Sequence, residues 1–201
     1  MTMATEQPQA TEQREATEQP EATEQPELRP ARMDDADAID ALMKASIAEI
    51  FPGFYDEAQT AASVRYIGSV DRTLIEDGTY LVVESHGEIV ACGGWSRRDK
   101  LYTGSGDAAG DARELDPATE PARVRAMFVR GDWTRRGLGT RILQACEEAA
   151  RAEGFGALAL VSTLPGLLLY ERYGFVTTAE APVNMPDGTH VAAVSMHLSL
   201  P

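Results

Sequence analysis

Cysteine is nearly missing from this sequence: Cys92 and Cys146 are the two in 201 residues. They stand far apart with no Cys-x-x-Cys spacing, which excludes a disulfide framework and a thiolate zinc site and fits a reducing cytoplasm. Positive charge is also short. Lys and Arg number 18 against 32 Asp and Glu, for a net charge of −14. That balance repels the phosphates of nucleic acid and of anionic lipid, so neither a nucleic-acid nor a membrane partner is expected. No apolar run reaches the roughly 18 residues of a membrane helix. The N-terminus has neither the basic region nor the apolar stretch of a secretory signal. His86 and His197 have no second ligand close by in sequence and read as turn and strand residues, so no metal is expected. What is present is a hydrophobic fraction of 43%, enough to bury a core. The length suits one domain with an appendage, expected to be cytoplasmic.

The appendage is a repeat. Residues 4–27 read ATEQPQ, ATEQRE, ATEQPE, ATEQPE, a run of perfect hexads. They contain no large apolar residue to place on a helix or strand face, and Pro8, Pro20 and Pro26 break helices. Glu6, Glu12, Glu15, Glu18, Glu21, Glu24 and Glu27 stand against Arg14 alone. Residues 1–27 are therefore expected to be a disordered acidic tail, and 28–201 a single folded domain.

Within the domain, Pro30 keeps Leu28–Ala31 extended. Asp34 and Asp35 offer an N-cap to a helix carrying Ile39, Leu42, Met43, Ile47 and Ile50 at helical spacing. A second helical pattern runs from about Asp56 to Glu76. Thr79–Glu84 and Glu88–Trp95 read as a hairpin about His86-Gly87. Residues 97–120 are polar and loop-like, and Arg123–Val129 is a strand. A helix then carries Ile142, Leu143, Cys146 and Ala150 on one face and stops at Gly154. Ala157–Val161 is an apolar strand of the kind buried on both faces. Pro165-Gly166 opens a helix over Leu167–Tyr173, and strands at about Phe175–Glu180 and His190–Leu198 follow around Pro186-Asp187-Gly188. This order predicts a mixed α/β sheet.

One junction carries chemistry. The strand ending at Val129 leads to Arg135-Arg136-Gly137-Leu138-Gly139-Thr140 and directly into a helix. Glycines allow close backbone approach, and the free amides of a helix N-terminus point at an anion. Arg135 and Arg136 add charge-assisted contacts. No Gly-Lys-Ser/Thr follows, so this is not an ATP-type phosphate loop, and a third glycine for a dinucleotide fingerprint is missing. The expected ligand carries a pyrophosphate but is neither ATP nor NAD.

Val129–Leu143 (VRGDWTRRGLGTRIL), followed by Leu164–Phe175 (LPGLLLYERYGF), resembles the GNAT superfamily of acyl-CoA-dependent N-acetyltransferases. In element order the resemblance extends over roughly residues 28–200. It implies a GNAT-like fold, with a mostly antiparallel central sheet of about six or seven strands and about four flanking helices. It implies acetyl-CoA as co-substrate, its pyrophosphate held by the backbones of Arg135, Arg136, Gly137, Leu138, Gly139 and Thr140. Its pantetheine arm would pair with the backbones of Met127, Phe128 and Val129, with an amide near Val129 stabilising the oxyanion. Two positions depart from the pattern. Thr134 replaces the usual Arg or Gln, and Thr163, assigned to cofactor binding, stands where an Asn often follows the fifth strand. The Tyr of the Y-x-x-x-G-F segment, Tyr170, is implied as the catalytic acid. A phenol of ordinary pKa about 10 stays protonated at neutral pH and can donate to a leaving thiolate.

The acceptor side is less marked. An amine must lose a proton to a carboxylate, a His or a water chain, and Glu84, Glu120 and His190 are all candidates. Arg125 either points into the cleft, where it would hold a substrate carboxylate, or pairs with one of the many acids. Phe51, Phe54, Tyr55, the 97–120 segment and the 182–190 turn are expected to line the acceptor site, with Phe54 and Tyr55 touching substrate. Trp95 and Trp133 read as packing anchors. This mixed aromatic and acidic surface favours a small or cationic amine over a nucleic-acid substrate. The alternatives are a non-catalytic acyl-CoA sensor and a scaffold acting through the tail. Both monomer and homodimer remain open.

Overall fold

The structure, a computed structural model, describes residues 25–100 and 113–200. The hexads before residue 25 and residues 101–112 of the polar segment lie outside them.

The elements in chain order are β1 (Glu27–Pro30), α1 (Ala36–Ile50), α2 (Glu57–Tyr66), α3 (Arg72–Glu76), β2 (Tyr80–Ser85), β3 (Glu88–Ser96), β4 (Ala122–Val129), α4 (Leu138–Ala152), β5 (Ala157–Thr163), α5 (Leu164–Tyr173), β6 (Val176–Glu180), β7 (Val183–Asn184), β8 (His190–Val191) and β9 (Ala193–Ser199). Seven strands form one sheet in the order β1-β2-β3-β4-β5-β9-β6, and β7 pairs with β8 in a small separate ribbon. Every neighbouring pair is antiparallel except β4–β5.

Helices cover both faces. On one, Ile142, Leu143, Cys146 and Ala150 of α4 pack on Ala91, Val124, Leu158 and Leu160. On the other, Ile39, Leu42 and Met43 of α1 and Leu74 and Ile75 of α3 pack on Tyr80, Val82 and Cys92. A third cluster joins Ile47, Phe51 and Tyr55 to Val183, Met185 and Val191 at the far end of the sheet.

Two expected elements change. The helical pattern over residues 56–76 breaks into α2 and α3: the chain turns at Gly68, where a Cβ would lie 2.7 Å from the Val64 carbonyl oxygen, and Asp71 caps a new helix through the Thr73 N–H. Asp35 does not cap α1 with its side chain. Its carboxylate is taken instead by both terminal nitrogens of Arg29, at 2.7 and 2.9 Å.

The feature that positions the site is a gap. Strand β4 meets β5 only at Ala122–Leu158 and Arg123–Ala159, while β5 stays paired with β9 along its whole length. From Val124 onward β4 is held by β3 alone. Its other edge is open.

Candidate active site

A cleft of about 940 Å³ enters this gap. Its walls are the open half of β4, the loop leading into α4, the β5–α5 junction and the last turns of α1.

The loop into α4 is built as an anion cradle. Arg135 (φ +61°) and Gly137 (φ +81°) both take left-handed backbone. Gly137 is the N-cap of α4 and supplies no capping side chain, so the first N–H groups of the helix, those of Leu138, Gly139 and Thr140, have no partner in it. With the positive end of the helix dipole behind them, they suit a pyrophosphate. The two glycines serve different ends. Space around Gly137 is empty, whereas a Cβ on Gly139 would sit 2.8 Å from Leu169 Cδ2, so this glycine lets α5 approach α4. Arg135, Gly137, Leu138, Gly139 and Thr140 all line the cleft. Arg136 lies over the Trp133 ring at 4.5 Å, a cation–π contact that holds it beside the cradle. Thr134 closes the turn, its hydroxyl donating to the Gly131 carbonyl at 2.8 Å.

Met127, Phe128 and Val129 line the cleft along the open edge of β4, and Thr163 faces them from the end of β5. The Ser46 hydroxyl donates to the Val129 carbonyl at 2.9 Å and so ties α1 to that strand. Within β4, Cys92 is opposite Phe128 and Gly94 is opposite Arg125. Ala126 and Met127 therefore share a single partner, Gly93, and the resulting bulge puts Ala126 at φ +52°, a region that costs a residue with a Cβ about 1–2 kcal/mol.

Tyr170, on α5, also lines the cleft. Its ring meets Phe175 edge-on at 5.8 Å between centroids. A Cβ on Gly166, one turn earlier, would be 2.9 Å from Tyr170 Cε2, so the glycine makes room for the ring. Burial, with a smaller contribution from Cys146, pushes its pKa well above the usual phenol value. Among the described residues nothing hydrogen-bonds its hydroxyl. A neutral, unengaged O–H donor at the wall of the cleft is what protonation of a leaving group requires.

The acceptor residues sort differently from expectation. Phe54, half exposed, lines the cleft. Tyr55 is not among the described lining residues: its hydroxyl donates to the Ala192 carbonyl at 2.7 Å and accepts the Leu164 N–H at 2.8 Å. Arg125 does line the cleft, but it is buried and bonded to Asp71 at 2.9 Å, a carboxylate that Lys100 also approaches to 3.0 Å. None of the three candidate bases reaches the cleft. Glu84 is bound to Arg29 at 2.7 Å and Glu120 to Arg113 at 2.8 Å. His190 lies on β8, where its carbonyl accepts from Gln59. Trp95 is a core residue, while Trp133 lines the cleft beneath Arg136.

The carboxylate that does face the cleft, alone among the described lining residues, is Glu49 in the last turn of α1. It lies so close to Gly131 that a Cβ there would collide with it. Ser46 and Glu49, three residues apart, interrupt the otherwise apolar face of α1, and that interruption was the available signal. Among the described residues no group of three or more His, Cys, Asp and Glu side chains could hold a metal, and no helix is long and apolar enough to cross a membrane.

Comparison with known proteins agrees with this geometry. Residues 44–175 match the acetyltransferase (GNAT) family. A GCN5-related N-acetyltransferase from Rhodopseudomonas palustris superposes with a TM-score of 0.67 at 22% identity, covering 89% of this chain and 98% of its own. The PaiA N-acetyltransferase from Thermoplasma acidophilum, solved in complex with coenzyme A, gives 0.61 at 13% identity over 87% and 98%. The yncA protein from Salmonella typhimurium, solved with its cofactor acetyl-CoA, gives 0.57 at 19% identity over 88% and 94%. These likenesses show a shared fold. No curated protein sequence matches the chain.

Proposed function

The chain belongs to the GNAT acetyltransferase family, and on that premise we propose that it moves an acetyl group from acetyl-CoA to a primary amine of a small molecule, by direct attack in a ternary complex. The observation that carries the reading is the continuity of one cleft, from the uncapped N-terminus of α4, past the open edge of β4, to the Tyr170 hydroxyl. A pyrophosphate at one end and a thioester at the other would be bridged by an arm lying along Met127–Val129, where unpaired strand backbone invites β-like hydrogen bonds.

In this reading the amine nitrogen attacks the thioester carbonyl. The C–N bond forms, and the oxyanion is stabilised by a β4 amide beyond the bulge. The C–S bond then breaks and Tyr170 protonates the departing thiolate, later regaining a proton from solvent. The proton lost by the amine goes to Glu49, directly or through water. Glu49 also favours an acceptor that arrives as a cation, and Phe54, which also lines the cleft, offers an apolar face. Arg125, already matched with Asp71, sets the wall of the site rather than anchoring a substrate carboxylate.

The test is release of free coenzyme A thiol from acetyl-CoA across a panel of amines, with Tyr170→Phe alongside. The expected outcome is release with one class of amine, reduced at least about tenfold in Tyr170→Phe while coenzyme A binding by calorimetry stays within about twofold. Binding without release from any amine would replace transfer by acyl-CoA sensing, and absence of binding would remove the cradle itself.

A further inference from the structure

Two adjacent glycines, Gly93 and Gly94, sit in the middle of β3, where glycine weakens a strand unless something must approach closely. Two side chains do. A Cβ on Gly93 would lie 2.2 Å from Met127 Sδ, and a Cβ on Gly94 would lie 2.7 Å from Tyr80 Cδ2 and 2.5 Å from the Thr79 carbonyl oxygen. Gly93 is the residue that faces both Ala126 and Met127 across the bulge. Gly94 admits the ring of Tyr80, which is fully buried. A buried phenol needs a partner for its hydroxyl, and Tyr80 finds it at the bulge itself, donating to the Ala126 carbonyl at 2.8 Å.

We infer that Tyr80 is a positioning residue for acetyl transfer: its hydroxyl pins the left-handed Ala126, and the pinned bulge aims the backbone of Met127 into the gap between β4 and β5. Ala126 carries a Cβ and does not adopt φ +52° by preference. Something outside β4 must hold it there, and on this face of the sheet the hydrogen bond to its carbonyl comes from Tyr80. Pairing with β5 ends at Arg123, so the bulge lies inside the open stretch of β4 and orients the amides there, one of which meets a thioester carbonyl. Tyr80 does this from inside the core, through the backbone, without touching substrate. The inference rests on the transferase reading for its catalytic consequence and on the bulge alone for its structural one.

The test uses the full chain. Tyr80→Phe keeps the ring and removes the hydroxyl. The Ala126 backbone, followed by NMR without any ligand through its HN–Hα coupling and carbon shifts, is expected to leave the left-handed region. With acetyl-CoA and an accepted amine, kcat per coenzyme A-binding site is expected to fall about tenfold while the KM for acetyl-CoA changes less than about twofold. Adding Ala126→Gly, which relieves the left-handed strain, is expected to restore at least half of the lost kcat. A purely structural Tyr80 would reduce the number of binding sites and would not be rescued by that glycine. Should Tyr80→Phe not fold, Gly94→Ala shifts the ring together with the Thr79 carbonyl while keeping the hydroxyl, and the same split between kcat and KM is expected. An Ala126 that stays left-handed in the variant that folds overturns the inference, and so does a kcat loss that Ala126→Gly leaves unrestored. If the wild-type protein releases thiol with no amine, the transferase reading fails, and the Ala126 backbone coupling still decides whether Tyr80 holds the bulge.

Discussion

The hydroxyl of Tyr55 accepts the backbone N–H of Leu164 at 2.8 Å, tying the α1–α2 connection to the first residue of the helix that carries Tyr170. The same oxygen donates to the Ala192 carbonyl at 2.7 Å, so one side chain joins three segments that are distant in sequence. Tyr55→Phe removes both bonds and leaves the half-buried Leu164 N–H and the C=O of the exposed Ala192 without this partner. The expected loss is about 1–3 kcal/mol of stability, read as a lower urea midpoint with unchanged slope. KM for the amine is expected to stay within about twofold, because Tyr55 stands behind the cleft wall.

How much of this was legible beforehand follows from how local each cause is. Gly137 before α4 and the Tyr170–Phe175 segment were readable because left-handed freedom, an uncapped helix start and a glycine stop at Gly174 (φ +116°) are written within a few neighbours. The open edge of β4 was not. It starts at Val124, where pairing with β5 has ended, and the bulge inside it sits at Ala126, which looks like an ordinary strand residue until Tyr80, Gly93 and Gly94 from two other strands are placed against it. Asp71 sat inside a plausible helical run, and only Thr73 and Arg125 in space reveal it as a cap and an ion partner. Tyr55 and Phe54 were indistinguishable as neighbouring aromatics, and the backbone of Leu164 separates them. Glu49 was hidden because an acidic residue at the end of an amphipathic helix is ordinarily just solvated.

Glu49 supplies the next prediction. Glu49→Gln preserves shape and removes the charge that receives a proton and attracts a cationic amine. The expected result is a fall of about ten- to a hundredfold in kcat/KM for the amine, within the range of a lost general base. Coenzyme A affinity by calorimetry is expected to stay within about twofold. Equal kinetics with both side chains would place proton removal on water alone.

Asp71 governs acid stability. Burial raises its pKa, but hydrogen bonds and charge from Lys100 and Arg125 outweigh that and hold the carboxyl at about 2, against an ordinary value of about 3.9. A depressed folded-state pKa stabilises the fold above the unfolded value and stops doing so as pH falls through the folded one. The contribution, about 2 kcal/mol, is therefore complete above about pH 4 and lost between about pH 4 and pH 2. Urea unfolding across that window is expected to show the loss. Asp71→Asn should flatten this part of the profile and lower stability near neutrality by about 3 kcal/mol, because Arg125 would stay buried without its anion.

The two glycines of the cradle separate backbone demand from packing demand. Gly137 has φ +81° with nothing within 4 Å of an added Cβ, so Gly137→Ala meets no clash and acts only through its backbone. Alanine in that region costs about 1–2 kcal/mol. Turning the residue back toward negative φ would rotate the first amides of α4 away from a common anion. Coenzyme A affinity is expected to fall about tenfold, while the affinity for a pantetheine fragment without phosphates stays as in the wild type. Gly139 is already helical, and an added Cβ meets the tip of the flexible Leu169 side chain at 2.8 Å, so Gly139→Ala should be accommodated by turning Leu169. The expected mark is a small change in unfolding temperature and kcat, with coenzyme A affinity changed less than in Gly137→Ala. Calorimetry on both variants orders the two effects. If Gly139→Ala weakened coenzyme A binding more than Gly137→Ala, the anion site would lie over the helix face rather than at its uncapped end.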